Sequence, residues 1–209
     1  MVGHRMGGVS MNVDDKWACM FCGKPLSKKE KVCRVCDEKA HKGGSSEAEL
    51  CRAFSTALQL EVEGVEFYGQ CAKRTKDKAG AQMFRYLAGE ENVHYKKVSE
   101  LFKKEQNKGY CQYMEDKAKG ESGVFERNVP GGRLDEKSDS LDALNVGIRA
   151  EDNSISLYEY LSVNAMTPKG RELFKKLVDE ERRHRIILET EVEFVTETGE
   201  FHDFKQVTF

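Results

Sequence analysis

The feature that most constrains this chain is a repeat in which the same chemistry returns 90 residues further on. Glu61 falls on Glu151, Tyr68 on Tyr158, Phe84 on Phe174 and Leu87 on Leu177. The same offset puts Glu90 on Glu180, Glu91 on Glu181 and His94 on His184. One offset met by this many identical residues marks an internal duplication, so the two halves are expected to share one local fold. In both halves that fold is helical. Phe54, Leu58, Glu61, Val65, Tyr68 and Ala72 recur at steps of three and four, and so do Phe84, Leu87, Glu91, His94, Val98 and Leu101. The second copy gives Leu144, Ile148, Glu151, Ile155 and Tyr158 on one stripe, and Phe174, Leu177, Glu181, His184 and Leu188 on another.

Turn signals divide each copy into two helices: KDKAG at Lys76–Gly80 and NAMTPKG at Asn164–Gly170. Four helices follow, over residues 46 to about 106 and 140 to about 197, and the short turns make each pair antiparallel. Between the pairs runs a Gly-, Lys- and Glu-rich connection of about 35 residues, long for a bare loop and at home as a crossover in a bundle. The expected fold is all-α, with two antiparallel helical hairpins joined by that crossover into a four-helix bundle over residues 46–197.

Each apolar stripe is interrupted by charge. Glu61, Glu91, Glu151 and Glu181 face the expected core with His94 and His184, whereas Glu63 and Glu66 fall on a solvated side. An ionised carboxylate buried without a partner costs several kcal/mol, and four together repel one another. Cations are the simplest compensation. Glu61 and Glu91 are equidistant from residue 76 in the first turn, and Glu151 and Glu181 from residue 166 in the second. Fifteen residues of helix is about 22 Å on each side, so each hairpin brings its two glutamates level near mid-bundle. The histidine three residues on keeps to the same face and adds a nitrogen. A lone Glu-x-x-His in so Glu-rich a chain is most simply a solvated pair. Two copies, each with a level Glu, form instead the arrangement known for carboxylate-bridged di-iron and di-manganese bundles. Tyr68 and Tyr158 follow the helix-one and helix-three glutamates by seven residues. They are either core aromatics or phenols that donate hydrogen bonds to ligand carboxylates.

The N-terminal part has a different chemistry. Cys19-Met20-Phe21-Cys22 and Cys33-Arg34-Val35-Cys36 make two Cys-x-x-Cys pairs in a segment, residues 16–45, with few apolar residues. Four thiolates suit Zn²⁺ or a single iron, and the metal would staple a module too small to fold by its core. Cys51, Cys71 and Cys111 are read as structural thiols. Residues 1–15 lack an apolar h-region and read as a disordered leader, and residues 198–209 as a short polar tail. The net charge of −2 gives no reason to expect nucleic acid, and no run of about 18 apolar residues calls for a membrane. Seven cysteines, four of them in Cys-x-x-Cys pairs, fit a reducing cytoplasm better than a secreted disulfide framework.

Taken together, these residues resemble the rubrerythrin family of ferritin-like proteins. EVEGVEFY and EDNSISLY look like that family's helix-one and helix-three motifs, and EENVHY and EERRHR like its helix-two and helix-four motifs, over roughly residues 48–197. The resemblance implies that Glu61, Glu91, His94, Glu151, Glu181 and His184 hold two iron (or manganese) ions. It also implies a rubredoxin-like Cys₄ module, here before the bundle in the "reverse" order. The second knuckle, CRVCDE, lacks rubredoxin's usual Pro and Gly, which favours zinc over iron at Cys19, Cys22, Cys33 and Cys36. Peroxidase members usually carry a further glutamate three residues after the helix-three ligand, where this chain has Ser154. Glu115, Glu121 and Glu126 of the crossover are candidate substitutes.

The expected function is a cytoplasmic non-haem di-iron oxidoreductase that reduces hydrogen peroxide, or dioxygen, with electrons from an unidentified donor. The resemblance implies a homodimer. Two other readings fit the same ligands: a ferroxidase that oxidises Fe²⁺, and a metal-sensing binding module without turnover.

Overall fold

The structure is a computed structural model that describes residues 17–18, 25–26, 47–107 and 140–203. Four helices carry the fold: α1 (Glu47–Arg74), α2 (Lys78–Gln106), α3 (Ser140–Asn164) and α4 (Pro168–Thr198). In the N-terminal part β1 (Trp17–Ala18) pairs antiparallel with β2 (Pro25–Leu26), with Trp17 opposite Leu26 and Ala18 opposite Pro25. Cys19, Cys22, Cys33, Cys36 and Cys111 lie outside the described residues, as do the leader and the crossover acids Glu115, Glu121 and Glu126. No helix among the described residues is long and apolar enough to cross a membrane.

Local chemistry sets the helix ends. Asp77 caps α2, its side chain accepting from the Gly80 N–H at 2.8 Å. Thr167 caps α4 in the same way, accepting from the Gly170 N–H at 3.1 Å, with Pro168 in the first turn where its missing N–H is harmless. At the other end of α4, Gly199 takes a left-handed φ of 77° and donates to Val195 O at 2.9 Å.

Helix α1 packs on α2 and α3 on α4, while α1 runs along α3 and α2 meets α4. The two hairpins point in opposite directions. The end of α2 meets the second turn, where Thr167 Oγ1 donates to Glu105 Oε1 at 2.9 Å. The chain after α4 meets the start of α2, where Phe201 lies against Gly80. The duplication therefore becomes an approximate twofold axis across the middle of the bundle. The axis relates two aromatic layers. Tyr68 and Phe84 stack at 6.3 Å towards one end, and Tyr158 and Phe174 pack tilted at 5.5 Å towards the other, where Phe54 adds an edge contact to Phe174 at 5.2 Å. These rings are among the largest fully buried side chains, and their burial supplies much of the driving force for the bundle.

Two sequence expectations need correction. Cys51 is no structural thiol, because it is buried and disulfide-bonded. Cys71 is a buried free thiol, which burial pushes up to about 12. The tail is not uniformly polar in its setting either. Phe201 is only 8% exposed and packs on Phe84 at 6.2 Å, and the His202 N–H donates to the buried Glu191 Oε2 at 3.1 Å. One aromatic residue beyond a glycine cap is enough to fold the chain back.

A Cβ on Gly80 would lie 2.7 Å from the Phe201 ring. Gly80→Ala is therefore expected to destabilise the full chain in urea unfolding, by roughly 1–3 kcal/mol. In a Phe201→Ala background the same change should become neutral or stabilising by up to about 1 kcal/mol, because only alanine's better helix propensity remains.

Candidate metal centre

Glu61 comes from α1, Glu91 and His94 from α2, Glu151 from α3, and Glu181 and His184 from α4. All six are buried, none more than 5% exposed. The structure gathers them in one layer between the aromatic pairs. Ligand atoms of Glu91, His94, Glu181 and His184 lie within 4.8 Å of one another. The imidazoles stack at 5.3 Å with 18° between their planes, both presenting Nδ1 to the carboxylates.

The carboxylates divide into two kinds. Glu181 straddles the histidines, with Oε1 3.0 Å from His94 Nδ1 and Oε2 3.0 Å from His184 Nδ1. Glu91 straddles them too, at 3.6 Å from His94 Nδ1 and 3.5 Å from His184 Nδ1. Glu61 and Glu151 each serve one side, Glu61 at 3.7 Å from His94 Nδ1 and Glu151 at 3.9 Å from His184 Nδ1. Glu91, His94, Glu181 and His184 could therefore hold a metal ion, with Glu61 and Glu151 flanking them. Both oxygens of Glu61 and of Glu181, Nδ1 of each histidine and Nε2 of His94 are buried without a well-aligned hydrogen-bond partner among the described residues. Buried polar atoms are rarely left so, and oxygen and imidazole donors in this number fit iron or manganese.

Around these six groups the supporting contacts differ between the halves. Tyr68 donates a short hydrogen bond to Glu151 Oε1, so α1 steadies a carboxylate of α3. Burial, with Glu151 next to it, pushes the Tyr68 phenol well above its ordinary range and keeps it a donor. Tyr158 is equally buried, yet its hydroxyl has no partner. A Cβ on Gly64 would press on Glu91 Cγ at 3.1 Å, so glycine there lets Glu91 lie close against α1. The twofold-related position is Ser154, itself buried. One contributor is invisible in the linear pattern. Glu180 reads as an acid flanking the motif, but its Oε2 lies 2.9 Å from His94 Nε2 and 2.8 Å from Lys97 Nζ. No periodicity reveals this, because the partners sit on different hairpins.

Without cations, protons balance the charge. Burial raises Glu61 and Glu151 well above the carboxylate range, with the charges of Glu91 and Glu181 adding to it. Burial also acts to raise Glu91, but His184 and His94 outweigh it and hold that carboxyl below its usual range. Glu181 is lowered as well, with burial and Glu91 opposed by His94 and His184. Burial would lower both imidazoles, but the carboxylates around them win and raise both. Glu61, Glu151 and both imidazoles are thus pushed towards their protonated forms, and Glu91 and Glu181 towards their charged forms.

A four-helix bundle with a twofold carboxylate and histidine layer at its middle is a ferritin-like bundle, and its buried cluster could hold metal. Residues 53–127 match the family model described as Rubrerythrin, a likeness that spans α1, α2 and the chain just after them. Neither the comparison with curated proteins nor that with solved structures returned a match.

The proton balance has two measurable consequences. Glu61, Glu151, His94 and His184 are all pushed towards their protonated forms, so binding divalent cations to the metal-stripped chain near neutral pH should release protons, read with a pH dye in weak buffer. Glu61, Glu151, His94 and His184 keep protons in the folded chain that the unfolded chain loses above its ordinary values of 4.5 and 6.5. Their contribution to stability is fully present below those values and is lost as pH rises. The metal-stripped chain should therefore melt at lower temperature at pH 9 than at pH 6, and bound cations should flatten that slope.

Proposed function

We propose that the chain is a rubrerythrin-like non-haem di-iron oxidoreductase that reduces hydrogen peroxide, or dioxygen, at this centre. The observation that supports it best is the paired set: one terminal glutamate and one histidine on each side, with Glu91 and Glu181 between them. Glu61 and His94 would hold one ion and Glu151 and His184 the other. Two ferrous ions bound there would supply one electron each, enough with two protons to reduce one peroxide to two waters, and an external donor would return the electrons.

The chain's own groups do the rest. Glu91 and Glu181, each close to both histidines, would be shared between the two ions. The aromatic layers of Tyr68 with Phe84 and Tyr158 with Phe174 limit water on either side of the centre. Tyr68 holds the orientation of Glu151. Iron at Cys19, Cys22, Cys33 and Cys36 could relay electrons, whereas zinc there would be redox-silent and structural.

Ferroxidase activity is the second reading, and Ser154 favours it, because the extra glutamate usual in peroxidase members of the resembling family is absent at that position. The iron-loaded chain mixed separately with peroxide and with Fe²⁺ plus dioxygen in a stopped-flow instrument separates the two. Peroxide reduction should be the faster process. Glu91→Ala and His184→Ala should each lower iron affinity and peroxide turnover by about 100-fold or more. Unchanged iron content and turnover in both variants would end the di-iron reading.

A further inference from the structure

One polar line runs from the surface to the centre without a counterpart in the other half. Lys97 Nζ and Glu180 Oε2 lie 2.8 Å apart, and the same oxygen lies 2.9 Å from His94 Nε2. Exposure falls along the line, from 37% for the Lys97 side chain to 22% for Glu180 and 1% for His94. The contact crosses the bundle, from α4 to the ring carried by α2. Across the twofold, Ile187 takes the place of Lys97 and Glu90 that of Glu180. Among the described residues no ion pair joins Glu90 to His184, whose contacts with carboxylates all run through Nδ1.

The two histidines are therefore held differently. A carboxylate beside Nε2 fixes the rotation of the His94 ring, keeps Nδ1 turned to the centre and makes that nitrogen the stronger donor. Lys97 keeps Glu180 at this post, so that it does not turn away to solvent. Among the described residues, His184 is oriented by the groups it would share with a cation and by its stack on His94. The other side also loses donor strength at its terminal carboxylate, because the Tyr68 hydroxyl draws charge from Glu151.

Resting on the di-metal reading above, we propose that Lys97 and Glu180 form an orienting clasp on His94 that makes the two cation positions unequal. The position served by Glu61 and His94 takes a divalent ion more tightly than the position served by Glu151 and His184. Glu180 and Lys97 are positioning residues, since neither faces the central layer itself.

The test is a Co²⁺ titration of the metal-stripped full chain, followed by calorimetry and by the visible cobalt bands. Wild type should bind two Co²⁺ in steps at least about 10-fold apart in affinity. Glu180→Gln should weaken the tighter step by about 10–100-fold and leave the weaker one within about twofold, so that the steps merge. Lys97→Met, a change at a half-exposed position, should move the tighter step in the same direction by less. Glu90→Gln should change neither. Two equal steps in wild type, or equal weakening of both steps by Glu180→Gln, overturn the clasp while leaving the di-metal reading intact. A chain that keeps its helical circular dichroism but binds no Co²⁺ overturns both.

Discussion

The structure depends on how the middle of the bundle tolerates four carboxylates and two imidazoles with almost no access to water. Removing one ion from water costs several kcal/mol even after the protein relaxes, and the carboxylates also repel one another. The layer is stable only if positive charge enters it. The surroundings of Glu61, Glu151, His94 and His184 push all four towards their protonated forms, and bound cations would supply positive charge in place of those protons. Metal uptake by the layer would therefore be opposed by protons and favoured as pH rises.

Duplication placed this layer on a twofold axis, and the structure shows where the symmetry has broken. Tyr68 reaches Glu151 beside Gly147, where an added Cβ would lie 3.2 Å from the phenol oxygen. The twofold-related residue is Ala57, so a methyl group stands where only a hydrogen stands beside Tyr68. Tyr158 correspondingly finds no partner, and neither does either oxygen of Glu61. The hydrogen bond made in one half is thus absent from the other among the described residues. Gly64 against Ser154 and Lys97 against Ile187 continue the divergence.

The fold was largely legible in the sequence because its determinants are local. Stripes at steps of three and four marked the helices, and Asp77, Thr167 and Pro168 sit at the turns that the punctuation indicated. Even the height of the glutamates could be counted from those turns, since helical rise is uniform. The relations that stayed hidden all cross between distant segments. Nothing near Tyr68 says that its hydroxyl meets Glu151, and nothing near Glu180 says that it meets His94. Phe201 looked like part of a polar tail because one aromatic residue makes no periodicity, and its partner, Gly80, lies more than 100 residues earlier.

Divergence between the halves follows the energetics. On the second hairpin Arg185 pairs with Asp152 at 2.9 Å and Arg182 with Glu159 at 2.7 Å. The first hairpin has Tyr95, Val62, Asn92 and Gly69 at those places. Exposed pairs contribute about 0–1 kcal/mol each, so their gain or loss changes the bundle little. The central layer offers no such freedom, because removing one of its groups leaves a buried charge uncompensated at a cost of several kcal/mol. The groups between these extremes could vary without unfolding the chain. Lys97, Glu180 and Tyr68 touch the central layer without belonging to it, so substitutions there adjust how each half would hold its cation while the six inner groups stay the same.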